Sequence, residues 1–101
     1  MILYNVTVNI DSDVEQDWID WMKETHIPEV METGFFTEHR IMKMLSEAQD
    51  ETGKTYAIQY MADSLDQLET YLDTVAPKLQ KASIIRYGTK MAAFRTVLEE
   101  I

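Results

Sequence analysis

His26 is where this sequence could do chemistry. It closes the run Trp18-Ile19-Asp20-Trp21-Met22-Lys23-Glu24-Thr25-His26, and Pro28 follows two residues later. An imidazole titrates near neutral pH, so it can accept or donate a proton in the enolisation, cyclisation or dehydration of a carbonyl compound. Trp18 and Trp21 are three residues apart, share a helix face, and could wall an apolar pocket beside it. Such a lining would desolvate a substrate and move the histidine pKa. Each residue also has a plainer use. A histidine at a helix C-terminus bonds the last free carbonyls and suits the negative end of the dipole. Tryptophans at helical spacing pack into cores more often than they line ligand sites.

Other candidates lie on strands. Arg95 interrupts an apolar run between Phe94 and Val97. A strand arginine must reach water or an acid, so it either binds an anionic substrate group or makes a dimer-interface salt bridge, with Glu99 or with an acid of the partner. Tyr60, with Tyr4 and Tyr56, falls on the apolar strand phase, and a buried hydroxyl needs a partner. His39 and Arg40 alternate to opposite faces, so His39 could meet His26. Two histidines without a carboxylate at ligand spacing fall short of a zinc site. No phosphate loop, dinucleotide fingerprint, metal-binding helix motif or nucleophile elbow is present, so no metal and no cofactor is expected.

The elements that must position these residues follow from periodicity. Ile2, Tyr4, Val6, Val8 and Ile10 alternate with Leu3, Asn5, Thr7 and Asn9, which predicts a strand with one apolar face. Asp11-Ser12-Asp13 offers N-caps to a helix with the stripe Val14, Trp18, Trp21, Met22 and Thr25. Pro28 should break or kink that helix at Ile27, and Gly34 should end a short second piece. Residues 36–47 read as a second strand and 48–54 as a polar hairpin loop, with Gly53 at positive φ. Residues 55–61 read as a third strand. Ser64 then caps a helix with the stripe Leu65, Leu68, Leu72, Val75, Leu79 and Ala82, interrupted at Pro77. Gly88 ends it, and residues 89–99 form the fourth strand.

The order strand-helix-strand, twice over, is the α+β ferredoxin-like βαββαβ sandwich: a four-stranded antiparallel sheet with two kinked helices on one face. Residues 1–101 form one such domain. The other sheet face is left bare, with Leu3, Asn5, Thr7, Asn9, Ala57, Gln59 and Met61 on it and apolar area added from strand two. Contiguous exposed apolar area is usually used, so the expected partner is a second copy, in a twofold homodimer through the sheet.

Composition removes several classes. The formal net charge is -9, and residues 1–50 carry eleven acids against three bases. With no basic footprint, nucleic acid is not an expected partner. The acids of the first helix read as a solvated face near its positive end. No cysteine is present, which excludes thiolate chemistry and fits a reducing cytoplasm. No apolar run is long enough for a membrane span, and the first residues lack the basic start of a signal peptide.

An aromatic, two residues, two more aromatics and then His-x-Pro is the pattern at Trp18, Trp21, Met22, His26 and Pro28. It resembles the EthD-like branch of the dimeric α+β barrel superfamily, with Met22 where that pattern has tryptophan. Tyr4 to Val8, His26 to Val30 and Ala76 to Leu79 also resemble a group of bacterial proteins of about this length with no assigned activity. The resemblance implies the fold. The superfamily includes small-molecule cyclases, isomerases, monooxygenases and haem-degrading enzymes, which is analogy between folds.

The leading expectation is therefore a small-molecule enzyme of EthD-like type. His26 would be its general acid or base, with Trp18, Trp21, Tyr60, His39 and Arg95 around a small apolar or aromatic ligand. The alternatives are a non-catalytic dimeric ligand-binding or accessory protein and a structural interaction module.

Overall fold

The structure is a computed structural model that describes residues 1–46 and 53–101. Strand β1 (Ile2–Asp11) and a short 3-10 turn lead into helix α1 (Glu15–Trp21). A π-helical turn over Met22–His26 joins it to α2 (Ile27–Glu32). Strands β2 (Glu38–Lys43) and β3 (Gly53–Ala62) follow, then α3 (Leu65–Thr74), α4 (Ala76–Tyr87) and β4 (Met91–Glu99). The sheet order is β2-β3-β1-β4 with every pair antiparallel. This is the ferredoxin-like sandwich, with two interrupted helices against one sheet face.

The alternation in β1 does what its period dictates. Ile2, Tyr4, Val8 and Ile10 are buried under the helices with Tyr56, Ile58, Tyr60 and Ala62 of β3. The helices contribute Trp18, Met22, Ile27, Val30, Leu68, Tyr71 and Leu79 to the same core. Ser64 caps α3, its Oγ accepting from the Gln67 N–H at 3.2 Å. Gly34 (φ 80°) and Gly88 (φ 55°) stand at the helix ends, in conformations that disfavour any other residue.

Four details differ from the sequence reading. Pro28 does not break the first helix. The chain stays helical through Ile27, and the Ile27 N–H donates to the Met22 carbonyl five residues back. Strand β2 starts later than the expected 36, because Phe36 turns into the core, stacked on Tyr4 and tilted against Tyr60, and it ends at Lys43. Gly53 is the first residue of β3 and does not have positive φ. A Cβ there would lie 2.5 Å from the Asn9 Oδ1, so a larger residue would require the Asn9 side chain to move. The rest of the expected hairpin loop, apart from Lys54, lies outside the described residues. Finally, Ala82 is exposed and Ser83 buried, because the break at Val75 resets the helical phase.

The acids of the first helical segment are more than a solvated face. Asp13 pairs with Lys90, and Asp17 accepts from Arg86 (3.4 Å) and from the Tyr87 hydroxyl (2.9 Å). Glu15 accepts from the Tyr56 hydroxyl at 2.5 Å and lies 3.8 Å from the Lys43 Nζ. These contacts tie α1 to the end of α4 and to the sheet. Among the described residues no helix is long and apolar enough to cross a membrane.

Candidate active site

A cavity opens between the sheet and the helices. Its helical wall is Trp18, Met22, His26 and Val30, each four residues after the last. In an unbroken α-helix every fourth residue drifts by about 40° around the axis. The wider π turn between Met22 and Ile27 takes up part of that drift, so all four side chains reach one space. Pro28 explains why the turn is there. It has no N–H to give to the Glu24 carbonyl, and its ring would crowd that oxygen in an α-helix.

The sheet supplies the floor and the second interrupted helix, α3 and α4, closes the far side. Tyr4, Val6, Ile58 and Tyr60 come from β1 and β3, and Ala93 and Arg95 from β4. Tyr71, Leu79, Gln80 and Ser83 come from α3 and α4. The cavity volume is about 50 Å³, and the 520 Å³ of empty space around it includes open solvent.

His26 is half-buried in the wall. Its pKa is pulled down to about 4, first by burial and then by the nearby Arg95 charge. The ring is therefore neutral at pH 7, with one nitrogen free to accept a proton. Behind it Trp21 stacks at 4.9 Å between ring centroids and 27° between planes. Trp21 is itself held edge-on by Tyr87 at 5.6 Å, with the Arg86 guanidinium 5.7 Å above its face. The Asp17 contacts fix that pair in turn.

Alternation and register place Arg95 on the helix-covered face, opposite Val6 of β1. Its side chain is exposed at the mouth, and among the described residues no carboxylate pairs with it. Tyr4, Tyr60 and Tyr71 form one ring cluster with Phe36. Burial, then Tyr71 and Tyr4, push the Tyr60 phenol up. Burial and then Tyr4 push Tyr71 up, while Arg95 pulls the other way. Tyr60 and Tyr71 are thus neutral donors.

The structure brings His26, Trp18, Tyr60 and Arg95 to one cavity. It does not bring in Trp21, which backs the imidazole from outside, or His39. His39 is exposed on edge strand β2, in a groove with Lys23, Pro28 and Met31. Tyr71, Gln80 and Ser83 were not singled out from sequence. Tyr71 lies three residues after Leu68, which was the signal available. Gln80 and Ser83 depend on the phase reset at Val75. Among the described residues no group of three or more His, Cys, Asp or Glu could hold a metal ion.

A family profile described as a domain of unknown function (DUF4286) matches residues 1–101. The chain belongs to the DUF4286 family. Among solved structures, an ethyl tert-butyl ether D (EthD) family protein from Bacillus halodurans matches with TM-score 0.71 and 13% identity, covering 100% of both chains. A dimeric ferredoxin-like protein from an uncultured marine organism gives TM-score 0.66 and 10% identity over 99% of this chain and 98% of that one. A de novo designed protein, Foldit4, gives 0.65 and 6% over 99% and 98%. No curated protein matches the chain. The EthD likeness expected from the Trp18-to-Pro28 pattern is present in three dimensions. At such identities it carries the fold alone, and a fold reached by design as well as by nature specifies no activity. The function of this DUF4286 chain has to be argued from its side chains.

The burial of His26 makes a prediction for stability. Its folded pKa of about 4 lies below the ordinary value of 6.5, so folding favours the neutral ring. The contribution is fully present above pH 6.5 and is lost as pH falls from there through about 4. Allowing for solvent at the mouth, the loss is on the order of 2 kcal/mol. Urea denaturation at pH 7.5 and pH 4.5 should show a smaller drop for His26→Gln than for the wild type by that amount. Equal drops in the two proteins would contradict a desolvated ring.

Proposed function

We propose that the protein is a small-molecule enzyme that moves a proton on a carbonyl substrate, with His26 as the general acid or base. The observation that carries this reading is a neutral imidazole in the wall of a mainly apolar cavity whose other polar groups can each donate a hydrogen bond. The substrate's flat apolar body would lie against Trp18, Met22 and Tyr60. The free nitrogen of His26 accepts a proton from the carbon beside the carbonyl. The electrons of that C–H bond form the new C=C bond, and the carbonyl oxygen takes the negative charge. Arg95 and the tyrosine hydroxyls offer that oxygen charge and hydrogen bonds in a drier medium than water, where they count for more. Imidazolium then returns the proton to another carbon, for isomerisation, or to a leaving oxygen, for dehydration. Trp21 has a positioning role, through its stack on the ring.

The test is hydrogen–deuterium exchange at carbon. Aryl ketones such as phenylacetone would be screened for cavity binding by NMR and followed in D₂O. For those that bind, the wild type should exchange the C–H beside the carbonyl at least about 100-fold faster than His26→Gln. Binding by the variant should persist. If bound ketones exchange no faster with the wild type than with His26→Gln, the protein is a non-catalytic binder and the enzyme reading is withdrawn.

We also propose that two copies pair through the open sheet face. Leu3 stands opposite both Met61 and Leu98 there, and Thr7 opposite Phe94. Phe94 is 63% exposed, Leu98 49% and Met42 43%. Between them runs a polar ladder in which Gln59 donates to Asn5 (3.2 Å) and Asn5 to Thr7 (3.0 Å). Apolar patches flanking satisfied polar groups suit a self-complementary interface. The name of the dimeric ferredoxin-like neighbour agrees with this reading. Light scattering at micromolar concentration should give twice the chain mass of 11.8 kDa for the wild type and a single chain mass for Phe94→Asp. A monomeric wild type would refute the dimer.

A further inference from the structure

We infer that the cavity is built for an organic monoanion, a carboxylate on a small flat apolar body. This rests on the reading of the cavity as a ligand site and adds the class of ligand. Three observations carry it.

The first is the charge inventory. Among the described residues lining the cavity, Arg95 alone carries a formal charge at pH 7, and no carboxylate is present. Arg95 has no acidic partner among the described residues, and it is the one lysine or arginine of the chain that lines the cavity. An unpaired guanidinium beside apolar walls is a ready partner for a carboxylate, which it can hold with two parallel hydrogen bonds.

The second is a set of unused donors. Tyr4, Tyr60 and Tyr71 are only 3%, 2% and 4% exposed. None of their hydroxyls has a hydrogen-bond partner among the described residues. No side-chain oxygen among the described residues is both sealed from solvent and without a partner, and all three tyrosines line the cavity. Each hydroxyl can donate a hydrogen bond to an acceptor oxygen of a ligand in the cavity.

The third is convergence. Arg95, His26 and Tyr71 line the same cavity, and the Arg95 charge is felt by both of the other two. The remaining lining, Val6, Trp18, Met22, Ile58 and Leu79, offers nothing to a second charge and suits an aromatic or unsaturated body.

The experiment compares acids with their neutral amides. Benzoate, cinnamate and 2-naphthoate would each be titrated against benzamide, cinnamamide and 2-naphthamide, with affinity read from NMR shifts of the cavity residues. The wild type should bind at least one acid roughly tenfold more tightly than its amide. Arg95→Gln should erase that preference while leaving amide affinity in place, and Tyr71→Phe should weaken the acid more than the amide. If the amides bind as tightly as the acids in the wild type, the anion inference is overturned and the ligand-site reading stands. If the acid preference survives in Arg95→Gln, Arg95 is not the anion's partner and the inference is likewise overturned. If neither acid nor amide of any pair binds, both readings fall.

Discussion

The structure of the site depends on one missing hydrogen. Pro28 has no N–H to continue the helical ladder, and the chain answers with a π turn instead of a break. That turn keeps Trp18, Met22, His26 and Val30 in one line along the cavity. In a straight α-helix the drift would carry His26 and Val30 round towards neighbouring elements. With a real break, the end of the helix would be free to open and the imidazole would be solvated. The depressed histidine pKa, the stack on Trp21 and the position of His26 relative to Arg95 all follow from a helix that widens without stopping.

The two sheet faces have separate tasks. The helix-covered face carries the core and the cavity, and its tyrosines and arginine are the polar exceptions in an apolar layer. The open face carries a satisfied polar ladder with apolar flanks. The acids gathered on the first helical segment connect the two layers. Asp13, Glu15 and Asp17 take up Lys90, Lys43 and Arg86. Arg95, on β4, stands at the cavity mouth with no acidic partner among the described residues. The same Asp17 contacts hold Tyr87 and Arg86 against Trp21, so a surface ion pair contributes to how the buried imidazole is held. Exposed ion pairs stabilise folds only slightly, which makes their main effect here one of position.

Much of the fold was legible in the sequence because it rests on local periodicity. The alternation Ile2, Tyr4, Val8, Ile10 could only be a half-buried strand, and Ser64, Gly34 and Gly88 marked helix ends by chemistry that needs no tertiary context. Trp18 and His26 also stood out, although Trp21 was expected beside them where Met22 and Val30 line the cavity. What was hidden depends on phase and on neighbours far away in sequence. Ser83 and Gln80 look like solvent residues until the interruption at Val75 resets α4. Arg95 could have faced either side until its register with Val6 was fixed by hydrogen bonds across β1. His39 could have reached the cavity, but the edge strand β2 carries it to a groove on the far side of the first helix. Gly53 looked like a turn residue, whereas it begins β3 and packs against the side chain of Asn9.

The central claim is that His26 is a neutral, desolvated ring held in a cavity wall, and its titration tests that most directly. The imidazole signals would be followed by NMR from pH 3.5 to pH 8, with His26→Gln to separate His26 from His39. The account predicts a His26 midpoint near 4, well below the ordinary 6.5. A midpoint at or above 6.5 would contradict it, because the ring would then be a solvated helix-end group with no cavity around it.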